Sequence, residues 1–114
     1  MDGRIQESIL RHMRERTGAD HVDAITEPGP CKILADRAPE DLIDSIKKRL
    51  DISLVHHGST VIAISGHHDC AGNPVAKETQ LGQLEKCREY LQGQYPGVEI
   101  VTLWVNDSWE VEEI

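Results

Sequence analysis

The chain has 114 residues, a length that suits one domain with one modest core. Its formal net charge of -8 argues against nucleic acid as a partner, because phosphate contacts are made by clustered Lys and Arg. No apolar run approaches the roughly 20 residues of a membrane-spanning helix, and the N-terminus lacks the basic-then-apolar layout of a secretory signal.

The three cysteines, Cys31, Cys70 and Cys87, are odd in number and widely spaced, which fits a reducing compartment better than a disulfide framework. A cytoplasmic protein is expected. Cys87 falls in line with Leu84 and Leu91 on a predicted helix and reads as a buried apolar residue. Cys31, after Pro28-Gly29-Pro30, is compatible with either a structural or a functional role.

In chain order, residues 4–17 read as a helix, with Ile5, Ile9 and Met13 four apart and Leu10 beside them, stopped by Gly18. His21 to Thr26 reads as a short strand, broken by Glu27-Pro28-Gly29-Pro30. A helical turn is expected around Cys31 to Ala35. A helix starting near Pro39 carries Glu40 and Asp41 where the dipole favours them, with the stripe Leu42, Ile43, Ile46, Leu50 and Leu54 ending at Gly58.

Thr60 to Ser65 is the strongest strand, and its continuous apolar run suits a strand covered on both faces. A loop over 66–74 follows, then a helix from about Val75 to Gln92 with Leu81, Leu84, Cys87 and Leu91 on one side. Val98 to Val105 reads as a strand, and Trp109 to Ile114 as a short edge strand. Strands alternating with helices predict a single α/β domain over 1–114, with a mainly parallel central sheet flanked by helices in three layers. Ligands bind past the C-terminal ends of such strands, and the loop after Ser65 leaves the best of them.

That loop contains His67 and Cys70 as His-x-x-Cys. On a tight turn this spacing lets an imidazole nitrogen and a thiolate converge on one ion, and both suit zinc at about 2.0 to 2.3 Å. Asp69 is placed to orient a ligand, and Gly66 and Gly72 to let the backbone bend around a metal. The plainer reading is a polar loop whose histidines are solvated or bonded to nearby backbone; it is preferred for His68. The pair His56-His57 is explained by a helix end, and His12 and His21 read as surface residues.

The run Val61-Ile62-Ala63-Ile64-Ser65-Gly66-His67-His68-Asp69-Cys70-Ala71-Gly72 resembles the signature of the β-class carbonic anhydrases, an apolar strand ending in Gly-His-x-Asp-Cys-Gly-Gly. The resemblance implies that His67 and Cys70 are zinc ligands. The family's third ligand opens an upstream Cys-x-Asp-x-Arg motif. Met1-Asp2-Gly3-Arg4 matches x-Asp-x-Arg, so the matching Cys would precede Met1, on a first strand upstream of it. Otherwise Asp2, Cys31 or His68 completes the site, or no site forms. Glu27-Pro28-Gly29-Pro30 stands where the family has Arg-Asn-Ala-Gly, a departure.

The resemblance further implies reversible hydration of CO2 to bicarbonate by zinc-bound hydroxide, with Asp2 and Arg4 as the catalytic pair and a dimer or higher homo-oligomer as the assembly. Trp104 and Trp109 serve either such an interface or internal packing. The alternatives are a non-catalytic zinc protein of the same fold, used for structure, sensing or partner binding, and a related hydrolase of a small carbon–sulfur compound. A nucleotide-binding module ranks below these, because neither glycine-rich phosphate motif is present.

Overall fold

A computed structural model describes residues 1–114. Helix α1 spans Gly3–Thr17. The Asp2 carboxylate caps it by accepting from the Arg4 backbone N–H, and Gly18 ends it at φ 73, where a glycine carries no steric cost. Helix α2 (Pro30–Asp36) opens on Pro30 after Gly29 at φ 64, and helix α3 (Glu40–Asp51) follows Pro39. The stripe expected to run on to Leu54 leaves α-helical geometry at Ile52. One π-helical turn, Ile52–His56, widens the last coil before Gly58 reverses the chain at φ 71.

Strand β1 (Val61–His67), helix α4 (Lys77–Gln94), strand β2 (Glu99–Val105) and strand β3 (Val111–Glu113) complete the order. Strand β1 pairs in parallel with β2, from Val61 opposite Glu99 to His67 opposite Val105. Strand β3 pairs antiparallel with β2. The α/β expectation is met, but the sheet is small and mixed, with three strands in the order β1-β2-β3.

Successive strand residues face opposite sides, and here both sides are apolar. Ile62, Ile64 and Ile100 pack with Leu34, Ile43, Ile46, Leu84, Cys87 and Leu91 from α2, α3 and α4. Val101 and Leu103 pack with Met13 of α1, with Ile9, Val61, Ala63 and Val111 against them. That two-sided burial is why the β1 sequence is apolar without alternation.

Two expectations are corrected. Residues 21–27 form no strand; they run beside α1 with no ladder partner. An apolar run becomes a strand only where a neighbour offers backbone hydrogen bonds, and here a groove stands between this segment and β1. That cavity, about 420 Å3, is bounded by β1 from Val61 to His67, by Ile5 and Ile9 of α1, and by residues 21–27. The outer edge of β1 therefore faces the groove without a partner strand, and only its last residue, His67, has its outward backbone groups paired, by the Gln80 side chain. The second correction is that Gly66 and His67 lie in β1 rather than in the loop, because their partners Trp104 and Val105 extend the ladder.

Candidate functional site

His67 is the last residue of β1 and is buried, 5% exposed. Its backbone is clamped by one side chain from α4. The His67 N–H donates to Gln80 Oε1 at 3.1 Å, and Gln80 Nε2 donates to the His67 carbonyl at 3.0 Å. Gln80 is itself 1% exposed and stands in register with Leu84, Cys87 and Leu91. It occupies the place expected for Leu81, which is only partly buried. Gly66 is needed for space and not for backbone freedom: a Cβ there would lie 2.7 Å from Gln80 Oε1.

The His67 ring is oriented by the next peptide, with Nδ1 2.7 Å from the His68 carbonyl oxygen. A ring donating from Nδ1 presents Nε2 as its free lone pair, the arrangement of a metal-binding imidazole. The orienting group is thus a backbone carbonyl, not Asp69. Cys70, three residues on, is also buried, and the loop between them is set by Asp69 at φ 55.

Asp69 turns outward to the N-terminus. Arg4 Nη1 donates to Asp69 Oδ2 at 3.2 Å, and Nη2 donates to the Asp69 carbonyl at 3.1 Å. The same guanidinium grips Asp2 through Nε, 3.1 Å from each carboxylate oxygen, and through Nη2, 2.6 Å from Oδ2. These bonds hold the Asp2 carboxyl well below the usual carboxylate range, with a smaller contribution from His67 nearby. Asp2, Arg4, His67 and Cys70 are therefore gathered at the C-terminal end of β1.

Cys31 lies beneath this loop, fully buried. Its Sγ accepts from Asn73 Nδ2 at 3.4 Å and lies 3.7 Å from Gln83 Oε1. Burial raises its thiol pKa. Cys87, 0% exposed, donates to the Cys31 carbonyl and is pushed up to about 12 by burial. His68 is exposed, its ring centroid 6.1 Å from that of Trp109.

Two residues with a part in this geometry escape a reading of the sequence. Gln80 had a usable signal, being the one polar residue at an apolar position of the α4 period. Trp109 had none nearby: its ring lies under the Arg4 guanidinium, 4.5 Å from Cζ to centroid.

The donor chemistry of His67 and Cys70 suits zinc, but the set is short. No group of three His, Cys, Asp or Glu side chains comes together to hold a metal. Neither Cys31, Asp2 nor His68 joins the pair in such a group.

The fold and site thus define an α/β protein with a His-x-x-Cys half-site and an Asp–Arg pair at the end of a parallel strand. A family model described as "Putative carbonic anhydrase" matches residues 1–114, and the chain belongs to that family. No curated protein and no solved structure matches it.

Proposed function

We propose that this protein is a zinc-dependent carbonic anhydrase of reduced three-layer, β-class-like form, catalysing the reversible hydration of CO2 to bicarbonate. The observation that carries the reading is the double grip of Arg4 on Asp2 and Asp69. It joins the Asp–Arg pair to the His67–Cys70 loop within a chain of this family.

His67, through Nε2, and Cys70, through Sγ, would hold the metal. When bound, zinc supplies Lewis-acid activation of water near neutral pH. Arg4 keeps the Asp2 carboxylate ionised and engaged, so that it accepts a hydrogen bond instead of occupying a ligand position. The buried Gln80 clamp fixes where His67 sits.

A third protein ligand remains to be supplied, since neither Asp2, Cys31 nor His68 stands with His67 and Cys70 as a group of three. Met1 lines the groove along β1, and its ammonium donates to the Glu27 carbonyl at 3.0 Å. The protein is placed in the cytoplasm, consistent with three free thiols, and is a homodimer or higher assembly. No helix is long and apolar enough to cross a membrane.

Elemental analysis of the purified protein tests the reading, together with stopped-flow CO2 hydration. About one zinc per chain with hydration of CO2 is the expected result. Absence of zinc overturns the proposal. Full zinc without hydration favours the second reading, a non-catalytic zinc protein, which the short donor set of the present chain supports. If CO2 is inert but a small carbon–sulfur compound is cleaved, the related hydrolase is the activity.

A further inference from the structure

Three non-glycine residues have positive φ, and two of them surround Arg4: Asp69 at φ 55 and Trp109 at φ 58. An L-residue in this region costs roughly 1 kcal/mol or more and persists only where its surroundings impose it. At Trp109 the surroundings are a tight hairpin tip. Asn106 Oδ1 accepts from the backbone N–H groups of Ser108 at 2.9 Å and Glu110 at 3.0 Å. The Trp109 N–H donates to the Asn106 carbonyl at 3.0 Å, and Asn106 N–H to the Glu110 carbonyl at 3.0 Å. The turn throws the indole back over the end of β1, where it is half-buried between the Arg4 guanidinium and the His68 ring.

Arg4 is consequently held on three sides. Its edge is filled by Asp2, its Nη1 and Nη2 also reach Asp69, and its face lies on Trp109. Two carboxylates compete for this one guanidinium. The carboxylates act only within its plane, whereas the indole restrains motion out of the plane and favours the cation through its ring quadrupole. The buried tryptophan of this region is Trp104, 3% exposed, whereas Trp109 is half-buried and borders a cleft with Ser8 and His12 of α1.

We infer that Trp109 is a positioning residue whose indole fixes the Arg4 guanidinium, so that Arg4 holds Asp2 and the His67–Cys70 loop in one arrangement. The consequence for catalysis rests on the carbonic anhydrase reading; the effect on Arg4 does not.

The test uses Trp109→Gly and Trp109→Phe in the full chain. Glycine accepts the left-handed turn without strain, so Trp109→Gly removes the ring while leaving the hairpin backbone its preferred conformation. The readout is the Arg4 Nε–H resonance by NMR. Its ring-current shift is lost in Trp109→Gly, and its exchange with water is about two- to five-fold faster, the factor expected for losing one exposed cation–π contact. Trp109→Phe keeps most of both. The Nε–H of Arg37, which lies over Tyr90, stays unchanged in each variant and reports an intact fold. In a zinc-loaded form that hydrates CO2, Trp109→Gly lowers kcat with KM little moved. An Arg4 resonance unmoved in Trp109→Gly, with Arg37 also unmoved, overturns the inference whatever the activity. If no form hydrates CO2, the functional reading falls, and the Arg4 resonance alone decides this one.

Discussion

The side-chain amide of Gln80 pairs with the backbone of His67 as a neighbouring strand would, one bond in each direction. Strand β1 ends at His67, so without Gln80 a buried N–H and a buried C=O would have no partner. Gln80→Leu removes both bonds and leaves both groups unsatisfied, a loss of about 2–4 kcal/mol in urea unfolding. Gln80→Glu keeps an acceptor for the His67 N–H but loses the donor to the carbonyl and buries a charge. It should be at least as destabilising as Gln80→Leu at neutral pH and recover as the pH falls. Gly66→Ala drives a methyl against the same amide and should cost about 1–3 kcal/mol. In each variant, metal retained against a chelator falls with stability.

Asp2 gives the folded chain a pH dependence of definite sign. Its carboxyl is held below the ordinary value because Arg4 donates to it from both side chain and backbone, and Asp23 and Glu99 are shifted the same way by His57 and Arg16. A depressed folded-state pKa means that the unfolded chain binds protons first. The stability these groups contribute is present above about pH 4 and is lost as the pH falls below it. Thermal unfolding from pH 6 down to pH 3 should show Tm falling most steeply below pH 4. Asp2→Asn, which keeps the helix cap without the charge, should flatten the curve. Asp2→Ala also loses the cap, at about 1 kcal/mol at every pH. An unchanged acid limb in Asp2→Asn would show that the pair with Arg4 contributes nothing to stability, as many exposed ion pairs do.

Much of this was legible in the sequence, and what was not shares one cause. The helices α1, α3 and α4 and the strands β1 and β2 follow from apolar periodicity, which is a local property. His67 and Cys70 are legible as a candidate pair because a strand ending in His-x-x-Cys is also local, and Asp2 and Arg4 because a short motif carries them. Residues 21–27 have the composition of a strand, yet a strand is a relation to a neighbour, and a groove separates this segment from β1. Gln80 escapes the apolar pattern, which points to Leu81, because a polar residue on a helix ordinarily faces outward. Trp109 meets Arg4 across nearly the whole chain, a contact no window of sequence contains.

The cysteines give an opposite prediction at high pH. Burial raises Cys31 and takes Cys87 to about 12, so these thiols stay protonated in the folded chain where an unfolded one would ionise. The stability they contribute is complete below about pH 9 and is lost as the pH rises toward 12. Native protein at pH 8 should react with Ellman's reagent far more slowly than denatured protein, which releases three equivalents. Rapid reaction at Cys87 in native protein would contradict its burial.

The turn at Glu27-Pro28-Gly29-Pro30, the clearest departure from the family pattern, is fitted to the loop that follows Cys70. A Cβ on Gly72 would lie 2.6 Å from the Pro28 carbonyl carbon and 2.9 Å from the Gly29 nitrogen. One on Gly29 would lie 2.9 Å from the Gly72 carbonyl oxygen and from Asn73 Cβ. The two glycines let two backbones touch, and the obstacles are backbone atoms and the Cβ atoms of Pro28 and Asn73, none of which can swing aside as the end of a long side chain would. The turn is tied to α3 through the Glu27–Arg49 ion pair, so it cannot withdraw freely. Gly72→Ala should therefore displace the loop carrying Cys70 and cost about 1–3 kcal/mol. Gly29→Ala meets the same contact and adds the strain of a left-handed residue at φ 64, so it should be the more harmful of the two. Comparing the two by urea unfolding and by cobalt substitution separates the effects. Both should lose thiolate-to-cobalt absorption if the metal depends on this backbone contact. If Gly72→Ala keeps that absorption at reduced stability, the contact supports the fold and leaves the metal loop alone.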